Sequence, residues 1–423
     1  MNHRKQMYIA AFALFSLFFG AGNLILPPFL GYQAGNGWFW VWIGFLLSAV
    51  IIPILAIYGH AKLQGSLLDF GKKVSPQFAV GFALIIYAIS ISLPSPRTAS
   101  VTHEMAIMPY FSIPSWVTSA AYFGLVLLFA LYRSKMLNFI GKYLTPLIFI
   151  ILLTVIIIGL FTETPPLQNS ALANNFSAGL LEGYQTFDAI GGVVVGGVIV
   201  ISLSFQKSLS FLEKKKIIGR AGLLAGSWLF LVYAGLIALG AHFGNMTPAQ
   251  NRTEYLAFLS TETLGSFGST FLAVLVSLAC FTTAVGIVTG TADFVKGLLN
   301  NSHKAYIITA FVGCVLGVVM GQLPVNSIIN IAYPVLLLVY PLTIVLILLT
   351  LLPEERASKS VFRGVVLMTF IFSVPDFLGV VFPETKLNVL TQYIPLAHQN
   401  MGWVLPAILT FVLLNFFQKK SII

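Results

Sequence analysis

Residues 15–29 read FSLFFGAGNLILPPF. Apolar residues dominate both ends of the stretch, yet Gly20, Gly22 and Asn23 stand at its centre, and Pro27 and Pro28 follow. A helix in hydrocarbon must satisfy its own backbone, so a break at mid-depth has to face protein, water or a bound polar group. Two readings of GAGN stand. Small residues let membrane helices pack closely; alternatively the segment is unwound, which Asn23 and the double proline favour.

The rest of the chain says that hydrocarbon is the right solvent to consider. Of 423 residues 58% are hydrophobic and 9% charged, with 36 Phe, and the mean hydropathy is +0.93. A soluble domain carries about 25% charged residues. The basic start MNHRKQ followed by an apolar run imitates a signal peptide, but the run passes into GAGN with no polar cleavage region, so it reads as a retained first helix. Cys280 and Cys314 both sit in apolar segments and read as buried fillers, not a disulfide framework. The expected fold is all-α: a polytopic membrane protein of twelve spans at about 8–34, 37–60, 77–103, 116–132, 136–161, 178–205, 217–241, 266–292, 304–321, 326–352, 361–381 and 400–417. Only short polar segments lie between them.

Charge orients this arrangement. If the N-terminus is cytoplasmic, inside segments hold 20 of the 23 basic residues, among them Arg4, Lys5, Lys62, Lys73, Arg133, Lys135, Lys142, Lys207 and Arg363. Outside segments hold Arg252 and Lys386, and Arg97 falls within a span. This is the positive-inside pattern over short loops. The net charge of +10 is therefore a topology signal and an attraction to anionic membrane lipids, not a nucleic-acid footprint. Both termini are expected in the cytoplasm.

Span 6, SAGLLEGYQTFDAIGGVVVGGVIVISLSF, has Asp188 and then Gly191–Gly192 near its middle. Spans 1 and 6 open two successive sets of five, the spacing of inverted repeats that each begin with a discontinuous helix. The expected division is a ten-helix transport core over 1–352, with repeats of about 8–161 and 178–352, and two additional helices over 353–423. A broken helix exposes amides at the start of its second half and carbonyls at the end of its first. Those groups make an anion site and a cation site side by side, which suits an amino acid zwitterion together with a metal cation.

Other polar residues at depth carry paired readings. Arg97 and Glu104 lie seven residues apart in span 3, and serve either as a gate or coupling pair or as snorkelling anchors near the outer surface. Asp188 either caps amides of a second half-helix or titrates to couple transport to protons. Glu182 is expected near the external mouth. Thr282 and Thr283 either bond the carbonyl one turn back or face span 1 as oxygen ligands for a small alkali ion. The six histidines have no ligand spacing, no nucleophile-base-orienter set emerges, and the phosphate-loop pattern is absent, so an enzyme is not expected. A membrane receptor or structural protein is the remaining class, and no large loop or domain speaks for it.

The stretch LFSLFFGAGNLILPPFLGYQAG (14–35) resembles the first helix of bacterial branched-chain amino acid:cation symporters, the BrnQ-like or LIVCS family. PSPRTASVTHE (94–104), LLEGYQTFDAIGG (180–192) and LACFTTAVGIVTG (278–290) extend the likeness over essentially the whole chain. The resemblance implies a member of the amino acid-polyamine-organocation superfamily, with no cofactor. Leucine, isoleucine and valine would be imported with Na+, or with H+ in the rival reading, across a bacterial cytoplasmic membrane. It also implies site residues. The substrate carboxylate would meet amides at Gly20, Ala21 and Gly22, and its ammonium would meet carbonyls near Phe18 and Phe187 and the Asp188 side chain, with Asn23 and Gly191 beside them. A cation would take carbonyls of Ser16, Phe19 and Ala279 and hydroxyls of Thr282 and Thr283. Phe187 and Ile190-Gly191-Gly192 depart from the family's pattern around the aspartate, which implies a reshaped side-chain pocket.

Overall fold

The computed structural model describes residues 3–132, 145–204, 210–246, 249–382 and 393–420. Arg133, Lys135, Lys142, Lys207, Lys386 and the start of the expected fifth span lie outside the described residues. The first half of the molecule contains helices α1 (His3–Phe18), α2 (Ala21–Ala34), α3 (Trp38–Leu46), α4 (Ile52–Leu63), α5 (Leu67–Gly71), α6 (Pro76–Ser92), α7 (Pro94–Thr102), α8 (Ser115–Leu131) and α9 (Thr145–Leu160). The second contains α10 (Asn175–Tyr184), α11 (Asp188–Ser204), α12 (Phe211–His242), α13 (Arg252–Leu264), α14 (Gly268–Leu298), α15 (His303–Met320), α16 (Val325–Leu351), α17 (Lys359–Val381) and α18 (Val404–Lys420).

Among the described residues, seven helical stretches are long and apolar enough to cross a membrane, and four shorter apolar helices accompany them. The distribution of side chains is that of a protein dissolved in lipid. Ile85, Leu128, Ile150, Leu231, Phe311 and Leu409 are exposed, whereas Ser95, Arg97, Thr98, Asp188 and Thr282 are buried. Polar groups thus line the interior and apolar ones the perimeter, as a membrane protein with a polar pathway requires. Cys280 and Cys314 are buried free thiols.

Both interrupted segments divide, and the second does so earlier than its glycines suggest. α1 ends at Phe18 and α2 begins at Ala21, so the first gap falls at residues 19–20 and Gly22 and Asn23 already belong to the next helix. α10 ends at Tyr184 and α11 begins at Asp188. The expected opening at 188–192 is therefore corrected to 185–187, and Gly191 and Gly192 lie in the first turns of α11. Gly192 is there for packing: a Cβ would fall 2.9 Å from the Ala56 methyl on α4. A second difference is α13, where the sequence reading placed only an outside segment. Asn251 accepts the Glu254 N–H at 2.9 Å and starts this helix, which then packs on α2 and α14.

Glycines allow the halves to seat against the rest. A Cβ at Gly31 would lie 2.0 Å from Ile237 O, and one at Gly240 1.9 Å from Pro28 O, so α2 and α12 approach backbone to backbone. Both α1 and α2 lie along α12, while α10 lies along α3 and α11 along α4. At one end of the bundle Lys62 donates to Thr350 O (2.9 Å), Lys73 to Ala357 O (3.1 Å) and Arg363 to Val74 O (2.8 Å). Basic residues expected on the cytoplasmic side thus bond carbonyls of neighbouring segments, Lys62 at the C-terminal end of α16.

The α2–α12 approach leaves no room for a branched side chain, and overpacking of this kind costs about 1–3 kcal/mol. Gly31→Val is expected to lower the detergent melting temperature markedly. Gly124→Ala, where a Cβ meets nothing within 4 Å, is the control and is expected to leave it unchanged.

Candidate functional site

The first gap is closed by a side chain. Phe19 N–H still bonds Phe15 O at 2.8 Å, Gly20 is extended at φ −114° and ψ −158°, and Asn23 Oδ1 accepts the Gly20 N–H at 3.1 Å. The other end of the same amide reaches the second gap. Asn23 Nδ2 donates to Asp188 Oδ2 at 2.7 Å and to Tyr233 Oη, and Tyr233 Oη donates to the same Asp188 oxygen at 3.0 Å. One asparagine therefore ties the start of α2 to the start of α11 and to α12.

At the second gap the chain tightens before it turns. The N–H groups of Gln185, Thr186 and Phe187 bond Glu182 O, Gly183 O and Tyr184 O at 3.0, 3.3 and 3.0 Å. Phe187 then takes φ +64°, a left-handed conformation that costs a non-glycine residue about 1–2 kcal/mol. Such strain persists only where surroundings impose it, and it clusters at functional sites. Thr186 Oγ1 accepts the Asp188 N–H at 3.2 Å, so the threonine performs the capping considered for Asp188. The carboxylate of Asp188 instead faces Asn23 and Tyr233. Tyr340 Oη accepts the Ala189 N–H at 3.1 Å and donates to Ser48 O at 3.0 Å. Phe187 O accepts the Gly191 N–H at 2.7 Å, so this carbonyl, expected for a substrate ammonium, already has one partner.

Arg97 and Glu104 are not paired with each other. Arg97 is 2% exposed, which removes the snorkelling reading. Its Nη1 donates to Gln185 O at 2.8 Å, and its guanidinium lies 5.3 Å from the Phe187 ring centre. A Cβ on Gly22 would fall 2.4 Å from Arg97 Nη2, so glycine at that position admits the guanidinium against α2. Glu104 serves elsewhere: Oε1 accepts the Val325 N–H at 2.9 Å and Oε2 accepts from Thr253 Oγ1 at 3.2 Å.

Four of the five residues expected at the cation site come together. Thr282 Oγ1 donates to Ser16 O (3.1 Å) and Ala279 O (3.0 Å). Thr283 Oγ1 lies 3.4 Å from Ser16 O and 3.5 Å from Leu17 O. Phe19 sits beside this cluster in the chain, its ring stacked against those of Phe15 and Tyr233. The set consists wholly of neutral oxygens, donors of the kind that hard cations take.

A cavity of ≈ 30 Å³ lies between the gaps, lined by Phe18, Gly20, Ala21, Gly22, Asn23, Arg97, Phe187, Asp188, Gly191 and Thr283 among others. That volume is water-sized. A larger cavity of ≈ 850 Å³ is lined by residues of α10, α13, α16 and the loop before α18, including Gln185 and the Glu182–Arg252 ion pair, whose atoms approach to 2.8 Å. Gln185 walls the large cavity and its carbonyl bonds Arg97, which walls the small one. Tyr233, Tyr340 and Thr186 escaped the sequence reading. The tyrosines sit in spans whose neighbours carry no polar signal, whereas the QT pair before Phe187 was a visible one.

A model of branched-chain amino acid transport proteins matches residues 3–421. The chain belongs to this family. It is 32% identical to the branched-chain amino acid transport system 2 carrier protein of Pseudomonas aeruginosa over 98% of its own length and 96% of that protein's. It is 31% identical to the branched-chain amino acid permease BrnQ of Bacillus subtilis over 99% and 98%. The fold is that of Mhp1, a nucleobase-cation-symport-1 family transporter in a closed conformation with bromovinylhydantoin bound, with a TM-score of 0.62 at 13% identity, covering 98% of this chain and 92% of that one.

Removing the amide that links the gaps leaves a buried carboxylate with fewer donors. Such a loss costs about 1–3 kcal/mol, so Asn23→Leu is expected to depress the detergent melting temperature by several degrees. An unchanged midpoint would mean that the two helix starts are held together by other means.

Proposed function

We propose that this family member is a secondary active symporter that imports leucine, isoleucine and valine together with Na+ by alternating access. The carrying observation is that two helix gaps, cross-linked through Asn23 and Asp188, border one cavity beside an all-oxygen cluster. Branched-chain amino acid transport is the family's activity, and a polytopic membrane bundle is its setting. The finer architecture we infer is twelve spans in a bacterial inner membrane, with both termini cytoplasmic. Residues 1–352 form two inverted repeats of five and residues 353–423 add two helices. Reciprocal packing supports this: both halves of the first divided segment lie along α12, the seventh span, and both halves of the second lie along α3 and α4, the second span.

In this reading the amides at Ala21 and Gly22 attract a carboxylate, whereas the Gly20 amide expected beside them is already taken by Asn23. Phe18, Phe187 and Gly191 border the substrate with Asn23, and Asp188 faces its ammonium. The aliphatic tail would meet apolar residues such as Ile190, Val194 and Ile287. An apolar pocket separates methylene homologues by only about 1–3 kcal/mol, so the three branched-chain amino acids compete. Na+ would replace the threonine protons as partner of the Ser16 and Ala279 carbonyls, drawing oxygens of Thr282, Thr283 and Phe19 around it. Ordering α1 against α14 readies the gap for substrate, and the coupling is reciprocal.

The ≈ 30 Å³ cavity must widen before an amino acid enters. With the cytoplasmic face at Lys62, Lys73 and Arg363, the ≈ 850 Å³ cavity opens outward as the entry vestibule. Proton coupling is the alternative, and the buried Asp188 carboxyl is the observation in its favour.

Leucine uptake into proteoliposomes under a sodium gradient alone or a proton gradient alone separates the two. Sodium-driven uptake is expected; proton-driven uptake indifferent to sodium would reject the ion assignment. Thr283→Ala is expected to raise the sodium concentration for half-maximal uptake about tenfold, and an unaltered value would remove that hydroxyl from the site.

A further inference from the structure

Arg97 is a buried cation whose needs the protein only partly meets. A guanidinium carries five N–H donors, and among the described residues Arg97 makes a single hydrogen bond, from Nη1 to Gln185 O at 2.8 Å. Nε has no hydrogen-bond partner among the described residues, although Arg97 is 2% exposed. No carboxylate lies within ion-pair distance of Arg97 among the described residues, and the nearby acids are engaged elsewhere. Asp188 is held by Asn23 and Tyr233, Glu182 by Arg252 and Glu104 by Val325 N and Thr253. An unpaired buried charge is strongly unfavourable, so the site is incomplete without an anion.

The place where the anion would sit is marked independently. Arg97 Nη2 lies against Gly22, within 2.4 Å of where a Cβ would be, at the first turn of the 14-residue helix α2. First-turn amides have no partner within their helix. The Gly20 amide is consumed by Asn23, which leaves those of Ala21 and Gly22, and both residues line the small cavity together with Arg97 and Asp188. Guanidinium plus helix N-terminal amides is a carboxylate receptor, because planar N–H pairs match the two oxygens and the helix dipole adds to the charge.

We propose that Arg97 is the carboxylate-anchoring residue of the substrate site. It grips the α-carboxylate of the amino acid together with the Ala21 and Gly22 amides, and leaves Asp188 to the ammonium. The assignment rests on the amino acid transport reading and adds a selectivity that reading lacks: the cavity recognises a zwitterion through one side chain of each sign. Because Nη1 also holds Gln185, which walls the vestibule, the bound carboxylate is linked through one guanidinium to the layer between vestibule and cavity.

The test compares leucine with leucinamide, which keeps the ammonium and the side chain but has no carboxylate, by displacement of labelled leucine from the purified full-length protein in saturating NaCl. The unaltered protein is expected to prefer leucine about tenfold or more. Arg97→Gln is expected to lose most of its leucine affinity while leucinamide binding changes little, so that the ratio approaches one, and Arg97→Lys is expected to retain an intermediate preference. A merely structural arginine would weaken both ligands alike and keep the ratio, which would overturn the proposal. If Arg97→Gln does not fold, Gly22→Ala displaces the guanidinium by steric contact and is read by the same ratio, an unchanged value again overturning it. Failure of the unaltered protein to bind leucine at all would instead overturn the transport reading and the anchor with it.

Discussion

A backbone polar group inside a membrane has no water to turn to, and this protein is organised around two places where the chain gives up its helical partners. Each gap is repaired by side chains, both local ones and, at the second gap, ones from other helices. Asn23 takes the Gly20 amide and Thr186 takes the Asp188 amide, while Tyr340 takes the Ala189 amide and Arg97 supplies a donor to Gln185 O. Asn23 also bonds Asp188 and Tyr233, so together with the Tyr340 and Arg97 bonds these contacts register α2, α7, α11, α12 and α16 against one another. Local disorder of the helix becomes long-range order of the bundle.

The two charged groups at the centre are treated differently. Asp188 receives two donors from side chains. Arg97 receives one carbonyl and the face of an aromatic ring, a weaker provision for a fully buried cation. That imbalance is consistent with a site whose own electrostatics are completed by cargo. The neutral oxygens of Ser16, Ala279, Thr282 and Thr283 lie next to it, and Gly20 is the meeting point: a Cβ there would be 2.7 Å from Thr283 Oγ1. Movement of the oxygen cluster therefore bears directly on the backbone that begins α2, which is a short mechanical path between ion and solute.

Much of the architecture was legible because hydrocarbon imposes a simple rule on composition. Long apolar runs could be located, GAGN stood out against them, and the residues singled out around 16–23, 187–191 and 279–283 come together around one cavity and its oxygen cluster. The position of the second gap was misjudged by three residues. Glycine was taken as the mark of unwinding, whereas the turn is made at Phe187 in a left-handed conformation; within α11 Gly192 serves packing and Gly191 lines the small cavity. The helix at 252–264 was missed because it is too polar to register as a span and is stabilised by a cap and by neighbours.

By itself the sequence determined the solvent, the helical class and the polar residues that could not be left in lipid, since each follows from transfer energies summed along the chain. It could not determine partners. That Arg97 faces Gln185 and Phe187 and not Glu104, that Asp188 is held by Tyr233 from a helix 45 residues away, and that Thr186 does the capping are outcomes of how the helices pack. Distances across a bundle are set by side-chain volume at many contacts together, and no local spacing encodes them.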